Sequence, residues 1–211
     1  STSRGLGDVY KRQAGIPWWT SDIGGFLGGD ISDEGFRELL VRWFEWGAFC
    51  PVFRMHGERS PWHEREEEYI DGVRQLTSGQ DNEVWSFGEE NYEILKKYLF
   101  IRERLRPYIR ECMDRASESG EPVIRPLFFD FSGDPKAWET EDAYMFGSDI
   151  LVAPIMEEGA RERTVYLPEG AVWTDAYTKK VYEGGQTVVC PAPIDIIPVF
   201  YRGGKDLGIM G

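Results

Sequence analysis

Apolar positions between Asp33 and Phe49 recur at Phe36, Leu39, Leu40, Trp43, Phe44 and Gly47. That i, i+3, i+4, i+7, i+8 spacing lays one stripe along a helix, and Asp33 is placed to cap its start. A longer helix is expected from about Glu89 to Ser119, striped by Tyr92, Leu95, Leu99, Leu105, Ile109, Met113 and Ala116. Pro107 should bend it, and Gly120 suits its C-terminal cap. A short apolar run that stops in polar residues stands upstream of each helix. The first, Ile16 to Phe26, breaks at Asp22 and Gly24-Gly25; the second, Cys50 to Gly57, ends in Arg54, His56 and Gly57. Both read as buried strands that deliver polar residues at their C-terminal ends. Residues 58–82 are polar and include Glu64-Arg65-Glu66-Glu67-Glu68, so they read as a solvated loop in which like charges repel.

After Pro122 the period changes. Short β-branched or aromatic runs appear at Val123–Phe131, Ala143–Phe146, Ile150–Pro154, Thr164–Leu167, Val172–Thr174, Thr187–Val189 and Ile196–Tyr201. Gly, Pro and Asp turns separate them, which is the texture of an all-β module. The boundary is placed between Arg125 and Pro126. At the other end, Ser1 to Gln13 carries Arg4, Lys11 and Arg12 against Asp8 with little periodicity, and reads as a leader foreign to the fold. The expected organisation is therefore 1–13 leader, 14–125 helical unit and 126–211 β-module.

Composition narrows the function. The 211 residues are 41% apolar, enough for a buried core, and 37 acidic against 24 basic side chains give a net charge of -13. That field repels a polyanion, so nucleic acid is not an expected partner. No apolar run approaches the roughly 20 residues that a bilayer-spanning helix needs, so no membrane partner is expected either. Cys50, Cys112 and Cys190 are odd in number and widely spaced; they read as buried thiols, with neither a disulfide framework nor a zinc site.

Two consecutive units thus share the order strand, polar residues, loop, helix. In a (β/α)8 barrel the C-terminal ends of the strands build the site, so Asp22, Phe26, Arg54 and His56 would converge on one pocket. A barrel takes about 250 residues, and the roughly 110 ahead of the β-module can hold its last two units. The expected fold is α/β plus all-β: the C-terminal part of a (β/α)8 TIM barrel followed by a β-sandwich. Chemistry alone leaves Arg54 and His56 open between site residues and a structural ion pair with a satisfied core histidine. Trp18 and Trp19 read as strand core before flat ligand platforms, as do Tyr166, Trp173 and Tyr177 in the β-module, and His63 as a loop residue near the pocket rim. A metal site from His56, His63 and Glu64–Glu68 is not expected, because helical His spacing and a Cys partner are both missing.

Three ordered motifs carry a resemblance. Trp19-Thr-Ser-Asp-Ile-Gly-Gly-Phe26, Arg42-Trp-Phe-Glu-Trp-Gly-Ala-Phe-Cys-Pro-Val-Phe-Arg-Met-His-Gly57 and Arg125-Pro-Leu-Phe-Phe-Asp-Phe131 resemble glycoside hydrolase family 31, the family of retaining α-glucosidases and α-xylosidases. Met145-Phe-Gly-Ser-Asp-Ile-Leu-Val-Ala-Pro154 and Ala192-Pro-Ile-Asp-Ile-Ile-Pro-Val-Phe200 are similar to the proximal C-terminal β-domain that follows the family's barrel. The resemblance implies that Asp22 ends the seventh barrel strand and orders the donor-sugar pocket, with Phe26 against the sugar. Arg54 and His56 would end the eighth, His56 binding hydroxyls of the non-reducing-end sugar and Arg54 orienting neighbouring carboxylates. It places both catalytic carboxylates on earlier strands. Asp8, fourteen positions before Asp22 and inside the leader, does not match the acid/base, so no catalytic residue is expected in this chain. The implied activity is cleavage of terminal non-reducing α-linked glucosyl or xylosyl residues with retention, without a cofactor, on an oligosaccharide or small α-glycoside. The chain by itself is expected to be inactive. The alternative from another class is a non-catalytic carbohydrate-binding or structural β-module.

Overall fold

The first helix forms where the stripe places it. In the computed structural model, which describes residues 19–61, 69–74 and 80–210, α1 spans Glu34–Ala48 and the Asp33 carboxylate accepts the Gly35 N–H at its start. Its buried face is Phe36, Leu40, Val41, Phe44, Gly47 and Ala48, with Arg42 and Glu45 buried among them. Leu39, expected on the stripe, is 51% exposed: the face is rotated toward Val41. The second helix, α2, spans Glu89–Ser119, runs unbroken through Pro107, and ends at Gly120 in the left-handed conformation that a C-terminal cap favours. Leu99 is likewise on the exposed side, because the buried face passes through Tyr98 and Ile101. The two helices pack on each other.

The two apolar runs upstream of the helices correct the reading. Neither 19–26 nor 50–57 is a strand among the described residues. They lie side by side as irregular segments joined by an Ile23 N–H to Arg54 carbonyl bond of 3.2 Å, short of the repeated ladder that makes a strand. Residues 58–82 are also more than a loop. Strands β1 (Tyr69–Ile70) and β2 (Val73–Arg74) form a hairpin whose turn residues Asp71 and Gly72 both take positive φ, as a two-residue Asp-Gly turn requires. The leader, Trp18, His63 and the Glu64–Glu68 run lie outside the described residues.

The C-terminal half is a sheet covered on both faces. Strands β3 (Ile124–Pro126), β4 (Tyr144–Phe146), β5 (Ile150–Val152), β7 (Val172–Asp175), β8 (Val181–Glu183) and β10 (Val199–Arg202) form an antiparallel sheet in the order β3-β4-β5-β10-β7-β8. Strands β6 (Glu162–Leu167) and β9 (Gln186–Pro191) pair separately. Alternation sends Met145, Leu151, Trp173 and Phe200 toward Val165, Leu167 and Val188 of this second sheet, which makes the sandwich. The same strands send Tyr144, Phe146, Ile150, Val152, Val199 and Tyr201 into the core built by the helices. Run Val123–Phe131 is corrected in its second half: Pro126 has no N–H to continue a ladder, and helical turn α3 (Leu127–Asp130) follows. Helix α4 (Pro135–Glu139), capped by Asp134, and the exposed edge strand β8 went unread in the sequence. Trp173 is fully buried, Tyr166 donates from its hydroxyl to Asp134 at 2.6 Å, and all three cysteines are buried thiols.

Arg42 fastens α1 to the β-half. Its guanidinium donates to Glu45 Oε2 (3.1 Å) and to the carbonyls of Ala160 (3.2 Å), Ala192 (2.8 Å), Pro193 (3.0 Å) and Ile196 (3.1 Å). Burial raises the Glu45 carboxyl from its ordinary 4.5 to about 8 against the opposing pull of Arg42. The folded chain therefore keeps this proton over a range in which the unfolded chain has released it. Its contribution to stability is fully present below about 4.5 and is lost as the pH rises toward about 8. Urea midpoints measured from pH 5 to pH 8 should fall more steeply for the wild type than for Glu45→Gln; parallel curves would refute this assignment.

Candidate active site

These two segments carry the four candidate residues. Along Val52 to His56 exposure alternates, so Phe53 and Met55 pack inward while Arg54 and His56, two positions apart, share the outward side. Phe53 sets the segment against α1 by an edge contact with Phe44, ring centroids 4.7 Å apart. Arg102 on α2 holds its start, donating to the carbonyls of Ala48 (2.9 Å), Cys50 (2.5 Å) and Pro51 (2.8 Å).

The facing segment turns sharply after Asp22. Gly25 N–H bonds the Asp22 carbonyl at 2.8 Å, and Gly24 takes φ +82° where an added Cβ would lie 2.7 Å from Arg59 Nη2. Phe26 thereby comes back over the second segment, its carbonyl accepting Glu58 N–H at 2.9 Å. The side chains meet in two pairs. Arg54 donates from Nε (2.8 Å) and Nη2 (2.5 Å) to the same oxygen, Asp22 Oδ1, which leaves Oδ2 without a bond among the described residues. The Phe26 and His56 rings lie 5.4 Å apart at 39°, and Phe26 is 55% exposed. All four expected site residues thus share one open surface. Among the described residues, a carboxylate oxygen, guanidinium and imidazole donors without a partner and a largely exposed aromatic ring suit a polyhydroxylated ring with an apolar face. Among the described residues no three His, Cys, Asp or Glu side chains group as metal ligands do.

Arg59 was missed. It sits in the stretch read as a solvated loop, yet it is fully buried. The signal was present in Gly24-Gly25 and Gly28-Gly29, whose bare backbone carbonyls require donors once they are packed away from water. Trp19 is half-buried, and the Trp43 indole N–H bonds Ser21 Oγ at 2.8 Å, anchoring the approach to Asp22.

Comparison with known families decides the lineage of this arrangement. Residues 11–111 match the TIM-barrel domain and residues 120–205 the C-terminal domain of glycosyl hydrolases family 31. The chain belongs to glycoside hydrolase family 31. Its helical half is a piece of the family 31 barrel and its β-half is the C-terminal domain. An α-xylosidase of Saccharolobus solfataricus is 34% identical over 198 residues, 94% of this chain and 24% of that protein. Human neutral α-glucosidase C is 36% identical over 196 residues, 92% of this chain and 19% of that protein. A solved family 31 α-xylosidase from a soil metagenome, complexed with xylose, is 55% identical with a TM-score of 0.88, covering 94% of this chain and 29% of that one. The chain therefore spans less than a third of the length of these family 31 relatives.

Proposed function

We propose that this chain is the C-terminal part of an exo-acting family 31 α-glycosidase, with an α-xyloside as its substrate, and supplies part of the pocket for the non-reducing-end sugar. The observation that carries the reading is the single surface formed by Asp22–Arg54 and Phe26–His56. The preference for xylose is supported by the 55% identity to a xylosidase solved with xylose. Asp22, held by Arg54, binds a sugar hydroxyl through Oδ2; His56 donates to a second hydroxyl; Phe26 covers the apolar face. The retaining nucleophile and acid/base, two carboxylates about 5–5.5 Å apart, come from barrel strands outside this chain. Residues 14–125 and 126–211 are then the end of the barrel and the β-domain that buttresses it. No cofactor enters the reaction.

The test is turnover of p-nitrophenyl α-xyloside and α-glucoside by the intact gene product. The xyloside should be preferred, His56→Ala should lower kcat/KM by about 10–100-fold, the loss of one or two hydrogen bonds to the sugar, and the 211-residue chain alone should be inert. Indifference to both glycosides, or full activity in His56→Ala, would remove the reading.

A further inference from the structure

We propose that Arg59 is a positioning residue for sugar binding, its buried guanidinium fixing the turn that carries Asp22 and Phe26 against the segment that carries Arg54 and His56. The proposal rests on the α-glycosidase reading for its consequence and on geometry for its substance. From Nη2 the guanidinium donates to the Ile23 carbonyl at 2.9 Å, and from Nη1 it reaches the carbonyls of Gly24 (3.2 Å), Gly25 (2.9 Å) and Gly28 (3.2 Å). Three of those four carbonyls lie between Asp22 and Phe26, so one group sets the path of the backbone that spaces them. Nη1 also reaches the carbonyl of Glu58 at 3.2 Å, tying the turn to the second segment. Nε donates to Asn82 Oδ1 at 2.8 Å, and Asn82 Nδ2 donates to the Gly57 carbonyl at 3.3 Å, which fixes the guanidinium plane from behind.

Among the described residues, no hydrogen bond of Arg59 ends on a carboxylate. Its charge is met by carbonyl dipoles, by the Phe36 ring 5.5 Å from the guanidinium carbon, and by the field of Asp22, which acts on it without touching it. Six acceptors arrayed around one guanidinium need a fork of fixed donors. A lysine, a point charge with three rotatable donors on a flexible stem, cannot serve them together. A cation that only stabilised the fold could sit on any buried polar edge; here three of the six bonds go to the backbone between two sugar-facing residues, and a fourth, to Glu58, ties that turn to the second segment.

Two measurements on the intact enzyme separate this proposal from the functional reading it rests on. Backbone amide exchange of residues 22–29, measured without any sugar, should be about 10-fold faster in Arg59→Met than in the wild type, and only partly restored in Arg59→Lys. Unchanged exchange overturns the positioning role whatever the substrate. For the xyloside, Arg59→Met should raise KM and the dissociation constant of xylose about 10-fold together, with kcat within about 3-fold, because both sugar-facing residues bind the ground state as well as the transition state. Unchanged KM in a folded variant overturns the role. If Arg59→Met does not fold, Arg59→Lys is read in its place, and wild-type KM with wild-type exchange there is equally fatal. Faster exchange in a protein whose wild type hydrolyses neither glycoside leaves the positioning role standing and removes the α-glycosidase reading.

Discussion

Replacing Arg42 with methionine should lower folding stability by about 3–5 kcal/mol, the range for removing one partner of a buried charged network. Arg42 is 7% exposed, and four backbone carbonyls from residues 160–196 converge on its guanidinium. Methionine matches much of the volume, so the loss comes from polar groups that remain buried after their donor has gone, each worth about 1–3 kcal/mol when stranded. Glu45, 1% exposed, would also lose its counter-charge and be driven further toward its protonated form. The measurement is the urea midpoint of the chain at neutral pH. The double variant Arg42→Met, Glu45→Leu should recover part of the loss, since replacing both members of such a pair removes the stranded carboxyl. A single variant within about 1 kcal/mol of the wild type would show that water reaches these carbonyls and that Arg42 is not the fastening group.

Arg42 also shows where sequence reading succeeds and where it stops. Helix positions were legible because amphipathic spacing and caps are local: Asp33 and Gly120 mark the ends they were expected to mark. The rotation of each stripe was not legible, because it depends on which neighbour covers the helix; Leu39 and Leu99 are as apolar as Leu40 and Leu95 but face outward. Strands β4, β5, β7 and β10 were legible from short β-branched and aromatic runs, whereas β8 offers Val181-Tyr-Glu183 at an exposed edge, with little apolar signal to read. Asp22, Phe26, Arg54 and His56 were legible as a set because two consecutive strand–loop–helix units place them at the same end of a barrel, and the family pattern points to the same four. Arg59 stayed hidden because a charged side chain beside Glu58 looks solvated until the carbonyls of the facing turn are known.

Gly57→Ala should reduce kcat/KM for the α-xyloside by about 100–1000-fold in the intact enzyme, since misplacement by about 1 Å can cost 10²-fold and two binding residues move here together. Gly57 has φ +132°, and an added Cβ would lie 2.4 Å from the Phe26 carbonyl oxygen and 2.7 Å from that of Gly25. Both are backbone atoms, so no side-chain rotation makes room. Relief requires either that residue 57 leave a conformation reached almost only by glycine, a strain of about 1–3 kcal/mol, or that the Phe26 turn retreat. Retreat opens the 5.4 Å spacing between the Phe26 and His56 rings and lengthens the Glu58 N–H bond to Phe26. Thermal unfolding should shift by only a few degrees, while KM for the α-xyloside carries most of the loss and kcat changes far less. Activity within about 3-fold of the wild type would mean that this spacing does not matter to the chemistry.

The six-stranded sheet has one face toward its own sandwich and the other in the core of the helices, with Tyr144, Phe146, Ile150, Val152, Val199 and Tyr201 committed to the latter. The seam between the two halves is therefore an interior, continuous with the core. A gene rearrangement that cut between α2 and β3 and carried the β-half into another protein would bring a sticky apolar face with it. This C-terminal domain is heritable only with a barrel end that fits it, and lineages carrying it should keep the two in one reading frame, changing matched core residues on both sides in step.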